Sequence, residues 1–257
     1  MVTFETKVWE KDWEYILKGD YLKKVIENCN YKFSSKHVII NNVKNRNIVE
    51  KFCQEKVDEG IIDCFYVIDD YEFEILEHFG LSKDDFKGGF KYSSAELLGI
   101  YKCETEYLLH FSGDSFPLDF QQNWIDEAIK IMTNNHDIIV ANPTWDGKFG
   151  EAKDESFDEI DNFYIGYGFS DQSYLVRKTD FINRIYSEKN MKSERYPKYG
   201  GELFEKRVDS YMRNNKKFRI THKTSSYKHT NFPKGFLSRK LLKQQINNQR
   251  IDLMEKK

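Results

Sequence analysis

The chain of 257 residues is long enough to bury one substantial core, and its 40 basic and 42 acidic residues leave a net charge of -2. That near-balance excludes the cationic surplus that duplex phosphates demand, so no nucleic-acid partner is expected. A hydrophobic share of 39%, with 20 Phe and 16 Tyr, excludes a disordered chain and supplies rings for a core or for stacking on bases and sugar faces.

Met1 to Glu10 is charged and alternating, unlike the apolar core of a signal peptide. Within it Val2, Phe4, Thr6 and Val8 share one face, which predicts a first strand. Trp13 to Asn28 has helical spacing through Trp13, Ile16, Leu17, Val25 and Ile26. His37 to Asn42 reads as a buried strand with a polar end, and Asn47 to Gly60 as a helix stopped by its glycine. Cys64 to Asp70 is a third strand, whose Asp69-Asp70 end predicts a polar turn. After Gly88-Gly89, Ser93 to Cys103 predicts a helix capped by Ser93 or Ser94. Tyr107 to Phe111 is a fourth strand, Leu118 to Asn134 a helix and Asp137 to Ala141 a fifth strand. The acidic stretch Asp146 to Asp161 lacks periodicity and predicts a loop. Phe163 to Arg177 supplies one or two strands, Leu203 to Arg213 a helix and Phe218 to Thr221 a strand.

Beyond Pro233 the pattern is a basic amphipathic helix, with Leu241, Leu242 and Ile246 on its apolar side. Such a helix suits docking on its own domain or peripheral contact with an anionic membrane surface. No run approaches the roughly 20 apolar residues of a membrane span. Cys29, Cys53, Cys64 and Cys103 form neither a C-x-x-C motif nor a disulfide framework, which points to a reducing cytoplasm.

Alternating strands and helices predict an α/β domain with a mostly parallel sheet. Ligands of such sheets bind outside the carboxyl ends of the strands, here Trp9, Asn41-Asn42, Asp69-Asp70 and Ser112-Gly-Asp114. A carboxylate at a strand end can hold a divalent cation that bridges two phosphates, and Gly113 allows close approach of a ligand. An Asp in that place is also an ordinary turn former. No G-x-G-x-x-G follows a strand, which disfavours a dinucleotide-dependent oxidoreductase.

The run Glu106-Tyr107-Leu108-Leu109-His110-Phe111-Ser112-Gly113-Asp114 and the element order before it resemble the GT-A glycosyltransferases. The resemblance is strongest to the large inverting family that builds bacterial surface polysaccharides, and it covers roughly residues 2 to 145. Ser112 takes the place of the first aspartate of the family's Asp-x-Asp element, and Asp114 matches the second. The resemblance implies a three-layer α/β/α domain over residues 1–232, with a nucleotide-sugar half (1–145) and an acceptor half (146–232), followed by the basic helical tail (233–257). It implies that Thr6, Trp9 and Asn42 line the nucleotide pocket, that Tyr92 and Ser93 stand by the sugar or diphosphate, and that Ser112, Gly113 and Asp114 meet the donor. Asp114 would hold Mn²⁺ or Mg²⁺, with His222 or His229 as the late ligand that such enzymes often add. The family's acidic pair before an Arg-bearing helix is matched in its second member by Glu202, with Arg207 downstream. Glu202 is therefore the expected base, and Glu205 the fallback.

The implied activity is metal-assisted transfer of a hexose-type unit, with inversion, from a nucleoside diphosphate sugar to the hydroxyl of a glycan or lipid-linked glycan. The incomplete Ser112-Gly-Asp114 element keeps a non-catalytic binder of nucleotide or glycan as an alternative. A sugar nucleotidyltransferase needs a Gly-rich phosphate loop after the first strand, and Thr6 to Lys11 has no glycine.

Overall fold

The computed structural model describes residues 1–118, 123–197 and 201–230, together with 232, 240 and 241. Strand β1 (Val2–Val8) is followed by helices α1 (Trp13–Leu17) and α2 (Tyr21–Asn28), strand β2 (Ser35–Ile40), helix α3 (Arg46–Asp58) and strand β3 (Cys64–Val67). Next come helices α4 (Ile68–Phe79) and α5 (Phe90–Lys102), strands β4 (Tyr107–Phe111) and β5 (Ser115–Pro117), helix α6 (Trp124–Asn134) and strand β6 (Ile138–Trp145). The second half holds α7 (Phe149–Asp154), β7 (Ser156–Ile160), β8 (Phe163–Gly166), β9 (Ser173–Arg177), α8 (Lys178–Phe181), α9 (Phe204–Asn214) and β10 (Phe218–His229).

All the described strands join one sheet in the order β3-β2-β1-β4-β9-β6-β10-β8-β7, with β5 beside β10. The run β3-β2-β1-β4 is wholly parallel, β6 and β10 are parallel to each other, and β9 is antiparallel to both β4 and β6. Most strands therefore point one way, and helices cover both faces. One apolar cluster joins Val2, Phe4 and Val8 of β1 to α1, α2, α3 and α6, and the other joins Ile39, Leu108 and Val176 to α4, α5 and α9. Strands buried on both faces normally read as unbroken apolar runs. β1 departs from this, because Thr3, Glu5 and Lys7 alternate with its apolar residues. Glu5 is fully buried and bonds His110 Nδ1 of β4 at 2.5 Å, and Lys7 pairs with the buried Glu96 of α5.

Several expectations are corrected. The helix predicted over Trp13 to Asn28 is two helices, interrupted at Lys18, Gly19 and Asp20. Asp69 and Asp70 do not form a polar turn; they lie in the first turn of α4, where carboxylates complement the helix dipole. There Asp70 takes both ends of the Arg46 guanidinium at 2.6 Å. Helix α5 begins at Phe90, so Ser93 and Ser94 are inside it and neither is its cap. The predicted loop from Asp146 to Asp161 contains α7 and β7.

β6 runs past Ala141 to Trp145 despite Pro143, which has no N–H to give to a partner. Its neighbour adapts: Thr221 pairs with Asn142 and Ser226 with Thr144, so the intervening part of β10 bulges out opposite the proline. The basic tail expected over residues 233–257 lies outside the described residues except for 240 and 241. No described helix is long and apolar enough to cross a membrane.

Candidate active site

The parallel strands deliver their carboxyl ends to one edge of the sheet. Beyond Phe111 of β4, the chain turns through Ser112, Gly113 and Asp114 before β5 begins. The turn is tight because Gly113 packs under the end of β1. A Cβ at this position would lie 2.5 Å from Ile16 Cδ1, 2.7 Å from the Lys7 carbonyl and 3.2 Å from Asp12 Oδ2. Ser112 Oγ donates to Asp114 Oδ1 at 2.8 Å. The other carboxylate oxygen, Oδ2, meets His229 Nε2 at 2.9 Å. The Asp114 carbonyl accepts from both the backbone N–H and the hydroxyl of Thr230, at 2.7 and 2.8 Å. The end of β10 is thereby tied to the end of β4.

The charges of this pair reinforce each other. Burial works against ionised Asp114, yet the His229 and Ser112 hydrogen bonds and the charges of His229 and Lys7 hold it below the usual carboxylate range. The hydrogen bond that His229 gives to Asp114 raises the imidazole against the effect of burial, helped by the charges of Asp114, Asp146 and Asp171. Asp146, just past β6, accepts the His229 backbone N–H at 3.0 Å. Asp12 accepts the Trp9 N–H at 2.7 Å and is pushed well above the carboxylate range by burial, with the charge of Asp114 adding to the rise.

A cleft of about 560 Å³ opens beside this pair, lined by Trp145, Asp146, Asp171, Glu205, Tyr227 and His229 among others. Glu205 stands in the first turn of α9. Burial, and next the charge of Asp171, push its carboxyl up to about 8. Lys7 reaches into the same group of charges, with Asp171 Oδ2 at 4.0 Å.

The residues singled out in the sequence are distributed unevenly around this centre. Asp114, Ser112, Gly113 and His229 come together. His222 does not join them: it is buried, accepts the Ser225 N–H at 2.8 Å, packs edge-on against Phe163 and has Glu127 of α6 at 3.7 Å. Thr6 is buried on the β1 face that carries Phe4 and Val8, while Trp9 is 38% exposed with the Lys11 ammonium over its ring. Asn42 follows β2 in a left-handed conformation, φ 51°, and donates to the Lys91 carbonyl at 3.3 Å. Tyr92 is exposed. Ser93 is fully buried, and its hydroxyl is committed to the Gly89 carbonyl and the Phe204 N–H. Glu202 pairs with Lys206 at 3.0 Å and with Lys87 at 3.7 Å. Although burial opposes its charge, these lysines keep its carboxyl below the usual range.

Asp12, Asp146, Asp171 and Lys7 also belong to the site, although no sequence motif marks them. Asp171 sits in the Ser-Asp-Gln loop before β9, and only tertiary structure brings that loop to the cleft. Asp146 was obscured by the expected end of β6 at Ala141. Lys7 shares the polar face of an alternating strand with Thr3 and Glu5, and alternation of that kind reads as burial on one side only.

The fit of a divalent ion can be tested on the pair itself. Two ligands about 2.1 Å from an octahedral ion and at right angles to each other stand roughly 3 Å apart. The 2.9 Å between Asp114 Oδ2 and His229 Nε2 matches that edge. Among the described residues no group of three or more His, Cys, Asp or Glu side chains is set to hold a metal. A two-ligand protein set suits an ion that completes its shell with waters and substrate phosphates, as Mg²⁺ commonly does.

No model of a known protein family matches the chain. No curated protein matches it in sequence. Its structure aligns with that of GalNAc-T7 bound to UDP, GalNAc and Mn²⁺ at a TM-score of 0.55 and 9% identity, over 89% of this chain and 43% of that one. The fold is of the GT-A type. Two further alignments have lower scores. S. aureus TarS 1-349 gives 0.44 at 10% identity, over 89% of this chain and 60% of that one. UDP-glucose pyrophosphorylase complexed with UDP-glucose gives 0.48 at 11% identity, over 89% and 91%. The chain thus spans less than two thirds of the TarS and GalNAc-T7 chains.

Proposed function

We propose that the protein is a glycosyltransferase that moves a hexose-type unit from a nucleoside diphosphate sugar to a glycan hydroxyl. The observation that carries this reading is the meeting of Asp114 and His229, a strand-end carboxylate and a late histidine, at the carboxyl edge of a GT-A-type sheet. Asp114 Oδ2 and His229 Nε2 would hold a divalent ion, which when bound offsets charge on the departing diphosphate. His229 binds such an ion only as a neutral imidazole, so it must first release any proton it shares with Asp114. Trp9 and Asn42, at the ends of β1 and β2, would meet the nucleoside, while Gly113 serves the close packing of the Asp114 turn against β1.

For the base that takes the acceptor proton we favour Glu205 over Glu202. Glu205 lines the cleft, and a carboxyl pushed up to about 8 is a stronger base than an ordinary one. Glu202 is held low by its lysines, which makes it a poor proton acceptor. Asp171 and Lys7 set the charge around Glu205. Transfer with inversion follows if Glu205 activates the acceptor on the face opposite the diphosphate.

A screen of nucleoside diphosphate sugars, read as release of free nucleotide with and without Mn²⁺, tests the reading. Asp114→Asn is expected to lower turnover by roughly 10²-fold or more, the scale seen when a group stabilising transition-state charge is lost. Full turnover by a folded Asp114→Ala protein would refute the metal assignment. Tight, metal-independent nucleotide binding with no turnover of any donor would instead favour the binding-protein alternative.

A further inference from the structure

The cleft holds a second polar feature, built from the opposite end of β10. Arg219 is the second residue of that strand, and His229 the last. Arg219 is 5% exposed and lines the cleft together with Arg195. Its Nη2 reaches Glu155 at a long 3.4 Å, and its guanidinium lies 5.5 Å from the Trp145 ring centroid. Its Nε–H has no hydrogen-bond partner among the described residues. A buried donor left unpaired is costly, and a ligand that supplies an acceptor removes that cost.

Arg195 arrives from a separate segment, the 3-10 turn Met191–Arg195, and the two guanidiniums meet at Gly168. A Cβ on Gly168 would stand 2.8 Å from Arg195 Nη2 and 3.1 Å from Arg219 Nη1. The two nitrogens are therefore within roughly 6 Å of each other, close enough for like charges to repel. Gly168 has a φ of +115° that side-chain-bearing residues rarely adopt, and its lack of a Cβ lets both guanidiniums pack against the backbone there. Two cations held together on the wall of the cleft, one with an unsatisfied buried donor, make a receptor for an oxyanion even with Glu155 beside them.

We propose that Arg195 and Arg219 bind a phosphate or carboxylate carried by the acceptor, which makes the acceptor an anionic glycan. The acceptor assignment rests on the transferase reading above, in which the donor diphosphate belongs to Asp114 and His229. Glu205 shares the cleft with the two arginines, so the group whose proton it takes is presented on the arginine side. Guanidinium forks match the oxygen spacing of both anions and bind them bidentately, which a lysine ammonium does not do.

Titration of the full-length ¹⁵N-labelled protein with inorganic phosphate, followed at the arginine Nε–H resonances, tests the site. Phosphate is expected to shift the Arg219 resonance, and Arg195→Gln to weaken that binding by roughly tenfold, a factor typical of one lost charged hydrogen bond. Arg195 is exposed, so this variant keeps its fold even if Arg219→Gln does not. UDP with Mn²⁺ should bind Arg195→Gln as it binds the unaltered protein, and phosphate and UDP should bind together. Glucose 6-phosphate and glucuronate then separate a phosphate source from a carboxylate source, with glucose as the neutral control. Phosphate binding that Arg195→Gln leaves unchanged overturns the proposal, as does glucose binding as tightly as its charged analogues. Competition between phosphate and UDP overturns it too, because the arginines would then serve the donor. Failure of UDP to bind the unaltered protein removes the transferase reading and the acceptor assignment, while the phosphate titration still reports on the arginine pair.

Discussion

Glu205 keeps its proton in the folded protein up to a pH of about 8, chiefly because it is buried and secondly because Asp171 is near. In the unfolded chain the same carboxyl releases its proton near its ordinary value of 4.5. Between those two values the folded state binds more protons than the unfolded one, so stability falls as pH rises through the window and levels off above it. Glu205→Gln has no such dependence. The variant should melt at the same temperature as the unaltered protein near pH 4, and higher by a margin that grows until pH 8. A melting difference that stays flat from pH 5 to pH 8 would show that Glu205 is not perturbed. Transfer should follow the ionised carboxylate, rising with pH to a plateau above 8, and the Gln variant should lose it. Gly113 gives a second residue-scale expectation. Gly113→Ala places a methyl against Ile16 and the Lys7 carbonyl and should cost about 1–3 kcal/mol by overpacking, read in urea unfolding.

Among the elements, α9 and α5 are joined through one hydroxyl, because Ser93 Oγ accepts the Phe204 N–H at 2.9 Å where α9 begins. Ser93→Ala leaves that buried N–H unpaired and should cost about 1–3 kcal/mol. It should also loosen the first turn of α9, so the ascending limb of the pH–rate profile set by Glu205 should move toward lower pH. Loss of stability with an unmoved profile would confine Ser93 to a structural role.

Legibility in the sequence also divides by element. The run from β1 to β4 could be read because each strand is a short apolar or alternating segment with a polar end, and Asp114 followed from its place at one of those ends. β6 could not be followed past Ala141, because Pro143 reads as a stop and its compensation lies in the bulge of β10, about eighty residues away in sequence. The choice between Glu202 and Glu205 depends on how the start of α9 is packed: Glu202, two residues before the helix, is clamped by lysines, while Glu205 in its first turn lines the cleft. His222 and His229 look alike in sequence. Both lie on β10, and only its last residue, His229, reaches Asp114.

For the molecule as a whole, ligand binding to the folded state should appear as heat resistance. UDP or Mn²⁺ at a concentration of 100 Kd would add about 2.7 kcal/mol, equivalent to several degrees of melting temperature. If donor and ion share the Asp114–His229 centre, the two together should raise the melting temperature more than the sum of their separate effects, and Asp114→Asn should abolish the excess. Strictly additive shifts in a calorimetric scan would separate the two sites.

The bond between Asp114 and His229 joins residues 115 positions apart. A chain emerging from the ribosome can pair β1 through β4 while β10 is still unmade, and long-range pairings of this kind form late in folding. The nascent protein therefore carries its strand-end aspartate through 115 further residues of synthesis without the histidine it meets in the folded chain. If Asp114 and His229 hold the ion as proposed, an arrested chain lacking β10 should resist protease in its first half yet fail to hold Mn²⁺.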